Sequence, residues 1–185
     1  MIDRLTGALA RSGADYTEIR VERSWSTAVT FRGRRLESAT ASEDQGGCVR
    51  ALATGGGWGV ASFTSLDRLD AMVARAAELS RAVRVTPPIR LADVAPHRAE
   101  AILDLDGDVR GVPIAEKKRL LEAYNGELLA VSDRVVDSVA SYRDEVSEYW
   151  YVNSEGTALH ELRDANGGPE AVFYTNAKQL LGRAA

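Results

Sequence analysis

From Tyr16 to Phe31 the chain alternates, with Ile19, Val21, Trp25, Val29 and Phe31 at odd positions and Glu18, Arg20, Glu22 and Ser24 at even ones. Successive side chains of an extended backbone point to opposite sides, so this stretch predicts a long, half-buried strand. Arg32-Gly33-Arg34 supplies a turn, and Leu36 to Ser42, rich in small and hydroxyl residues, pairs back as a second strand.

Before this strand, Ile2, Leu5 and Leu9 recur at helical spacing and Gly13 follows as a stop, which predicts a short helix. After it, Gly46-Gly47 break the chain ahead of Cys48 to Ala53. Gly55-Gly56-Gly57 then tip a second hairpin whose return strand is Trp58 to Phe63. Thr64, three residues before Asp67, has the form of a capping box. It opens a helix carrying Leu66, Leu69, Met72, Val73, Ala76 and Leu79. The expected fold class is therefore α+β: a helix, a four-stranded antiparallel sheet and a helix, with the helices covering the apolar face of the strands.

Residues 85–112, with Pro87-Pro88, Pro96 and the acidic run from Asp104 to Asp108, read as a linker. It separates an N-terminal α+β domain at 1–84 from the start of a central, β-rich domain at 113–185, which is expected to be incomplete. Pro113 suits the first helical position. Leu120, Leu121, Tyr124 and Leu128 then share one side of a helix from Ile114 to Val131, with Glu116 to Lys118 and Arg119 opposite. Val135 to Tyr142 and Val146 to Val152 form a further antiparallel hairpin turned by Arg143-Asp144-Glu145. Asn153 to Gly156 is a turn, Thr157 to Arg163 a strand, Asn166 to Pro169 a break, and Glu170 to Thr175 a last strand.

Composition narrows the classes of function. With 45% hydrophobic and 27% charged residues and no apolar run approaching a membrane span, an integral membrane role is excluded. The formal charge of −4 argues against a protein built to hold phosphate backbones, so no nucleic-acid partner is expected. A single cysteine cannot close an intrachain bridge, and Asp3 and Arg4 interrupt the first turn with no apolar leader after them, so a cytoplasmic location is expected.

Candidate catalytic groups are few. His97 lies in the linker and reads as a solvated loop residue. His160-Glu161 begins like a helical zinc motif, but Asp164 stands where HExxH needs its second His and Ala165 where HExxxH needs it, and glycines flank the pair. His160 is therefore expected to be a strand residue. Cys48, in a strand beside glycines, reads as a small buried hydrophobe. Asp104, Asp106 and Asp108 imitate a calcium loop, but Val109 replaces the required glycine and Ala115 the required bidentate glutamate. Gly55-Gly56-Gly57 lack the Lys-Ser/Thr of a phosphate loop and lead into a strand. No catalytic, cofactor-binding or metal-binding residue is assigned. Sheet edges that accept an extended peptide remain a mode of recognition open to this chain, beside the plainer reading of edges that are covered.

The run Ala14-Asp15-Tyr16 through Arg20-Val21-Glu22-Arg23-Ser24 resembles the N-terminal region of the TldD/PmbA (TldE) family of zinc metallopeptidases. Gly33, Leu36-Glu37, Gly46, Val49-Arg50, Leu52 and Gly57 to Ser62 continue the pattern. Pro113-Ile114, Glu116-Lys117, Leu120-Leu121 and Asn153 to Thr157 extend it to about Arg163, while Cys48 departs from it where a glycine is expected. The resemblance implies an α+β N-terminal domain followed by larger β-rich parts, homodimers or TldD–PmbA pairs, and a chamber in which unfolded peptides are cut. It also implies zinc, held in TldD-type members by HExxxH and a distant cysteine later in the chain and absent from PmbA-type members. The subtype is left open. No family catalytic residue maps onto these positions, so the chain is expected to be a non-catalytic part, inactive alone, of a peptidase acting in proteolysis or maturation of unfolded peptides. The alternative is a free-standing peptide-binding or assembly module without peptidase activity.

Overall fold

The computed structural model describes residues 1–102, 108–165 and 169–172, with side chains described up to residue 163. Its contacts divide it into two compact units. The first comprises Met1–Arg23, Asp44–Asp104 and Ser147–Arg163, and the second Ser24–Glu43, Leu105–Val146 and Asp164–Ala185. The elements are α1 (Ile2–Leu9), β1 (Tyr16–Arg32), β2 (Arg35–Leu52), β3 (Trp58–Phe63), α2 (Leu69–Ala82), β4 (Arg98–Ile102), α3 (Ile114–Ala130), β5 (Val139–Asn153), β6 (Ala158–Ala165) and β7 (Pro169–Val172). No helix among the described residues is long and apolar enough to cross a membrane.

In the first unit, strands run in the order β3-β2-β1-β5-β6-β4. β3 is antiparallel to β2, whereas β4 lies parallel to β6. The expected four-stranded antiparallel sheet is thus overturned: the sheet is mixed and wider, although the class remains α+β. Three local causes account for the difference. Arg98–Ile102, expected in a linker, is an edge strand, and β5 and β6 of the expected separate β unit join the sheet beside β1. Gly46-Gly47 do not break the chain. β2 runs through them, because a Cβ at Gly47 would sit 2.5 Å from the Phe63 ring and 2.6 Å from the Arg20 carbonyl oxygen. Glycine there marks a close approach within the sheet rather than a turn.

One face of this sheet carries α1 and α2. Leu5 and Leu9 from α1 and Leu69 and Val73 from α2 close over Ile19, Val21, Val49, Phe63, Trp150 and Val152 in a continuous buried cluster. Gly59 on β3 lets α2 come close, since a Cβ there would meet the Ala76 oxygen at 2.0 Å. The helix entrance is capped one residue later than the sequence suggests. Ser65, not Thr64, accepts a hydrogen bond at its Oγ from the Asp67 amide, and a 3-10 turn precedes α2.

In the second unit α3 covers Val29, Phe31, Ala140 and Tyr142 through Leu121, and β7 is antiparallel to β5. Two expectations are corrected here. Arg143-Asp144-Glu145 is no turn but the middle of β5, because Asp144 points inward to a buried ion pair with Lys117 at 2.8 Å. The buried face of α3 is Lys117, Leu121 and Asn125, whereas Leu120 and Tyr124 are exposed. Lys117 Nζ also donates to Thr27 Oγ1, and Asn125 bridges the Gly33 carbonyl and the Ser138 hydroxyl. Asp104, Asp106, the break at 166–168 and the last strand beyond Val172 lie outside the described residues.

Candidate functional site

The sheet face of the first unit that turns away from α1 and α2 carries the even-numbered side chains of β1. At its heart Glu18, only 5% exposed, is held from three strands. Arg50 Nη1 donates to Oε1 at 3.0 Å, and the phenols of Tyr16 and Tyr151 donate to Oε2 at 2.8 and 3.0 Å. A buried carboxylate is tolerated because its lone pairs are filled and a guanidinium balances its charge. Arg50 stacks over Trp58 at 4.4 Å, and Tyr16 meets the same indole edge-on at 5.8 Å. Burial raises the ionisation of Tyr16 above the ordinary phenol range, and its hydrogen bonds to Tyr151 and Glu18 add to this. Tyr151 is raised as well, by burial first and then by the Glu18 charge, against the opposing bond to Tyr16. Both phenols therefore stay neutral donors.

Beside this cluster a cavity of about 600 Å³ opens on the sheet. Its walls are Arg20 and Glu22 from β1, Cys48 from β2, Tyr149 and Tyr151 from β5, and Leu159 from β6. Gly46, on the neighbouring strand, leaves the floor low. Arg20 lies over the Tyr151 ring at 5.4 Å and stands 3.7 Å from Glu18, so it approaches the cluster without a hydrogen bond to it.

The residues singled out from sequence are scattered. Cys48 is half-buried in the cavity wall rather than enclosed in the core. His97 is exposed just before β4, its amide donating to Thr157 Oγ1 and its carbonyl accepting from the Ala158 amide. His160 is a strand residue on β6, and its ring stacks on Trp150 at 5.3 Å. Its Nδ1 lies 2.9 Å from Glu100 Oε1 and its Nε2 2.7 Å from Glu148 Oε1. The two carboxylates occupy opposite edges of the imidazole and do not converge on one point. Among the described residues no three His, Cys, Asp or Glu side chains gather as a metal cage, so these residues do not fit the zinc that the resemblance implies for complete members. Asp108 caps a 3-10 turn and pairs with Arg110, which holds its carboxyl below the usual range. Gly55 turns at φ +72°, and the Gly57 amide donates to the Ser80 carbonyl, so these glycines serve a turn.

Sequence reading missed the Glu18 cluster and the cavity. The even positions Tyr16, Glu18, Arg20 and Glu22 were its visible half. Tyr149 and Tyr151, about 130 positions later, complete it only once β5 lies beside β1.

Residues 17–80 match the family model described as PmbA/TldA metallopeptidase domain 1, and residues 107–165 match the PmbA/TldA metallopeptidase central domain. A metalloprotease of Synechocystis sp. is 32% identical over 152 residues, covering 82% of this chain and 32% of that protein. The chain thus spans about a third of the length of this relative. Among solved structures, a protein of Bacteroides thetaiotaomicron described as a candidate modulator of DNA gyrase superposes with a TM-score of 0.72 at 14% identity, covering 98% of this chain and 48% of that one. TldE of Thermococcus kodakarensis gives 0.65 at 13% identity over 98% and 46%. At those identities the likeness is one of fold, whereas the two consecutive domain matches in family order fix the lineage: the chain belongs to the PmbA/TldD family of metallopeptidases.

Proposed function

We propose that this chain is a non-catalytic, peptide-handling part of a TldD/PmbA-type metallopeptidase, engaged in proteolysis or maturation of unfolded peptides in the cytoplasm. The observation that carries the reading is the aromatic, arginine-bearing sheet face around Glu18, with its adjoining cavity, on a chain of this family. Such a surface offers apolar rings and charged groups to a chain of mixed sequence, and β4 adds an exposed strand at the rim of the sheet. Any hydrolysis is assigned to zinc ligands from another segment or another subunit, because His160-Glu161 lacks the second histidine of either zinc spacing.

The test uses the 185-residue chain and fluorescein-labelled, reduced and carboxymethylated lactalbumin as an unfolded partner. Binding seen by fluorescence anisotropy, with no new fragments after prolonged incubation with zinc, is the expected result. Chelator-sensitive cleavage by the chain alone overturns the non-catalytic assignment, and absence of binding overturns peptide handling.

An assembly role is the second reading, favoured by the exposed side chains of Leu120 and Tyr124 on α3. It pairs the chain with a copy of itself or with a TldD/PmbA-like subunit. Sedimentation of the chain as a monomer at all concentrations, alone and with such a subunit, removes it.

A further inference from the structure

Arg20 and Glu22 stand out on the sheet face that no helix covers among the described residues, Glu22 because it has no ion pair among them and Arg20 because its one ion pair, to Glu18, is long. Both are exposed. Arg50 and Arg163, the neighbouring cations, are engaged by Glu18 and Glu161. Arg20 has only the 3.7 Å approach to Glu18 and the face of Tyr151, with no hydrogen bond from its guanidinium among the described residues. Glu22 makes no hydrogen bond or ion pair among them either. Two residues apart on one strand, these groups are set about 7 Å apart along β1 on the same side of the sheet. Between and beside them lie the half-buried rings of Tyr149 and Tyr151 and the side chain of Leu159. A ligand that matches this wall carries an anion and a cation about 7 Å apart and an apolar body.

An extended two-residue peptide spans about 7 Å between its termini. Its free carboxylate can take paired N–H donors from a guanidinium, and its ammonium can donate to a carboxylate. We propose that the cavity beside Glu18 is a binding site for short zwitterionic peptides. The C-terminal carboxylate rests on Arg20, the N-terminal ammonium on Glu22, and an apolar side chain lies on Tyr149, Tyr151 and Leu159. The site rests on the peptide-handling reading and sharpens it, since it adds recognition of free peptide ends to the contacts that the sheet face offers a longer chain. Arg20 is pre-oriented by its stacking on Tyr151, so a single contact orders little that is loose.

The test is an NMR titration of the isotope-labelled 185-residue chain with leucyl-phenylalanine, its N-acetyl form and its C-terminal amide. The free dipeptide is expected to bind in the millimolar range, shifting amides of Arg20, Glu22, Cys48, Tyr149 and Tyr151. Each capped form is expected to bind about five-fold more weakly, the loss due to one exposed charge contact. Arg20→Gln is expected to weaken the free dipeptide by the same factor and to abolish discrimination against the amide while keeping that against the acetyl form. Glu22→Gln should do the reverse. Both side chains are exposed and leave the core intact, and matching amide spectra of the variants confirm it. Equal affinity for free and capped dipeptides, shifts elsewhere, or discrimination unchanged in both variants overturns the site. If carboxymethylated lactalbumin still binds while the dipeptide does not, this site falls and the peptide-handling role stands. If neither binds, both fall.

Discussion

Glu18 and Asp144 are buried carboxylates with different companions, and each supports a test. Asp144 faces Lys117 with both side chains about 5% exposed. Removing one partner leaves the other charge stranded, so Asp144→Ala is expected to cost about 3–5 kcal/mol in urea unfolding. The double change Lys117→Met with Asp144→Leu should recover most of that loss, because an apolar pair does not need water. At Glu18 the phenols carry the pH dependence. Tyr16 ionises near pH 10 when unfolded and above that when folded, so below pH 10 both states hold the proton and the contribution to stability is level. Above pH 10 the unfolded state releases the proton first, and stability falls with a slope of up to about 1.4 kcal/mol per pH unit. Tyr16→Phe should flatten that decline when the two proteins are unfolded in parallel between pH 9 and 11. No sequence pattern marked Asp144 as buried. A charged triplet with apolar neighbours looks the same whether it turns or spans, and only the lysine of α3 decides.

Among the elements, glycines separate close approach from mere tolerance. Gly59 on β3 faces the backbone of α2, with the Ala76 oxygen 2.0 Å and the Ser80 nitrogen 2.5 Å from an added Cβ. Gly59→Ala is expected to push the helix off the sheet and cost about 1–3 kcal/mol. Gly126, inside α3, has nothing among the described residues within 4 Å of such an atom, so Gly126→Ala should stabilise by about 1 kcal/mol through helix propensity alone. Thermal melts of the two variants, moving in opposite directions, check both. α1, α2 and β1 are readable in the sequence because their apolar residues keep the period of the element that buries them. β4 is not. All five of its residues are exposed, so no alternation of burial is written into Arg98–Ile102. Its strand character comes from hydrogen bonding to β6.

For the whole molecule, family membership is legible in the order of short motifs from Ala14 to Thr157, although no single motif is diagnostic. The candidate site is half legible, since one wall lies in β1 and the other arrives with β5. Cys48, His97 and His160 are the chain's only cysteine and histidines, and they do not converge. One equivalent of zinc should therefore leave the melting temperature unchanged, and a clear rise in a thermal-shift assay refutes this. The seat of α3 has a wider meaning. A modest roll about its axis would tuck Leu120 and Tyr124 inward and gain grease, but it would also swing an ammonium off its carboxylate and an amide off the hairpin bend at Gly33. Greasiness alone would choose the wrong angle. The helix is addressed to its place by polar keys, so swapping in an oilier variant of that face should loosen its orientation before it loosens its attachment.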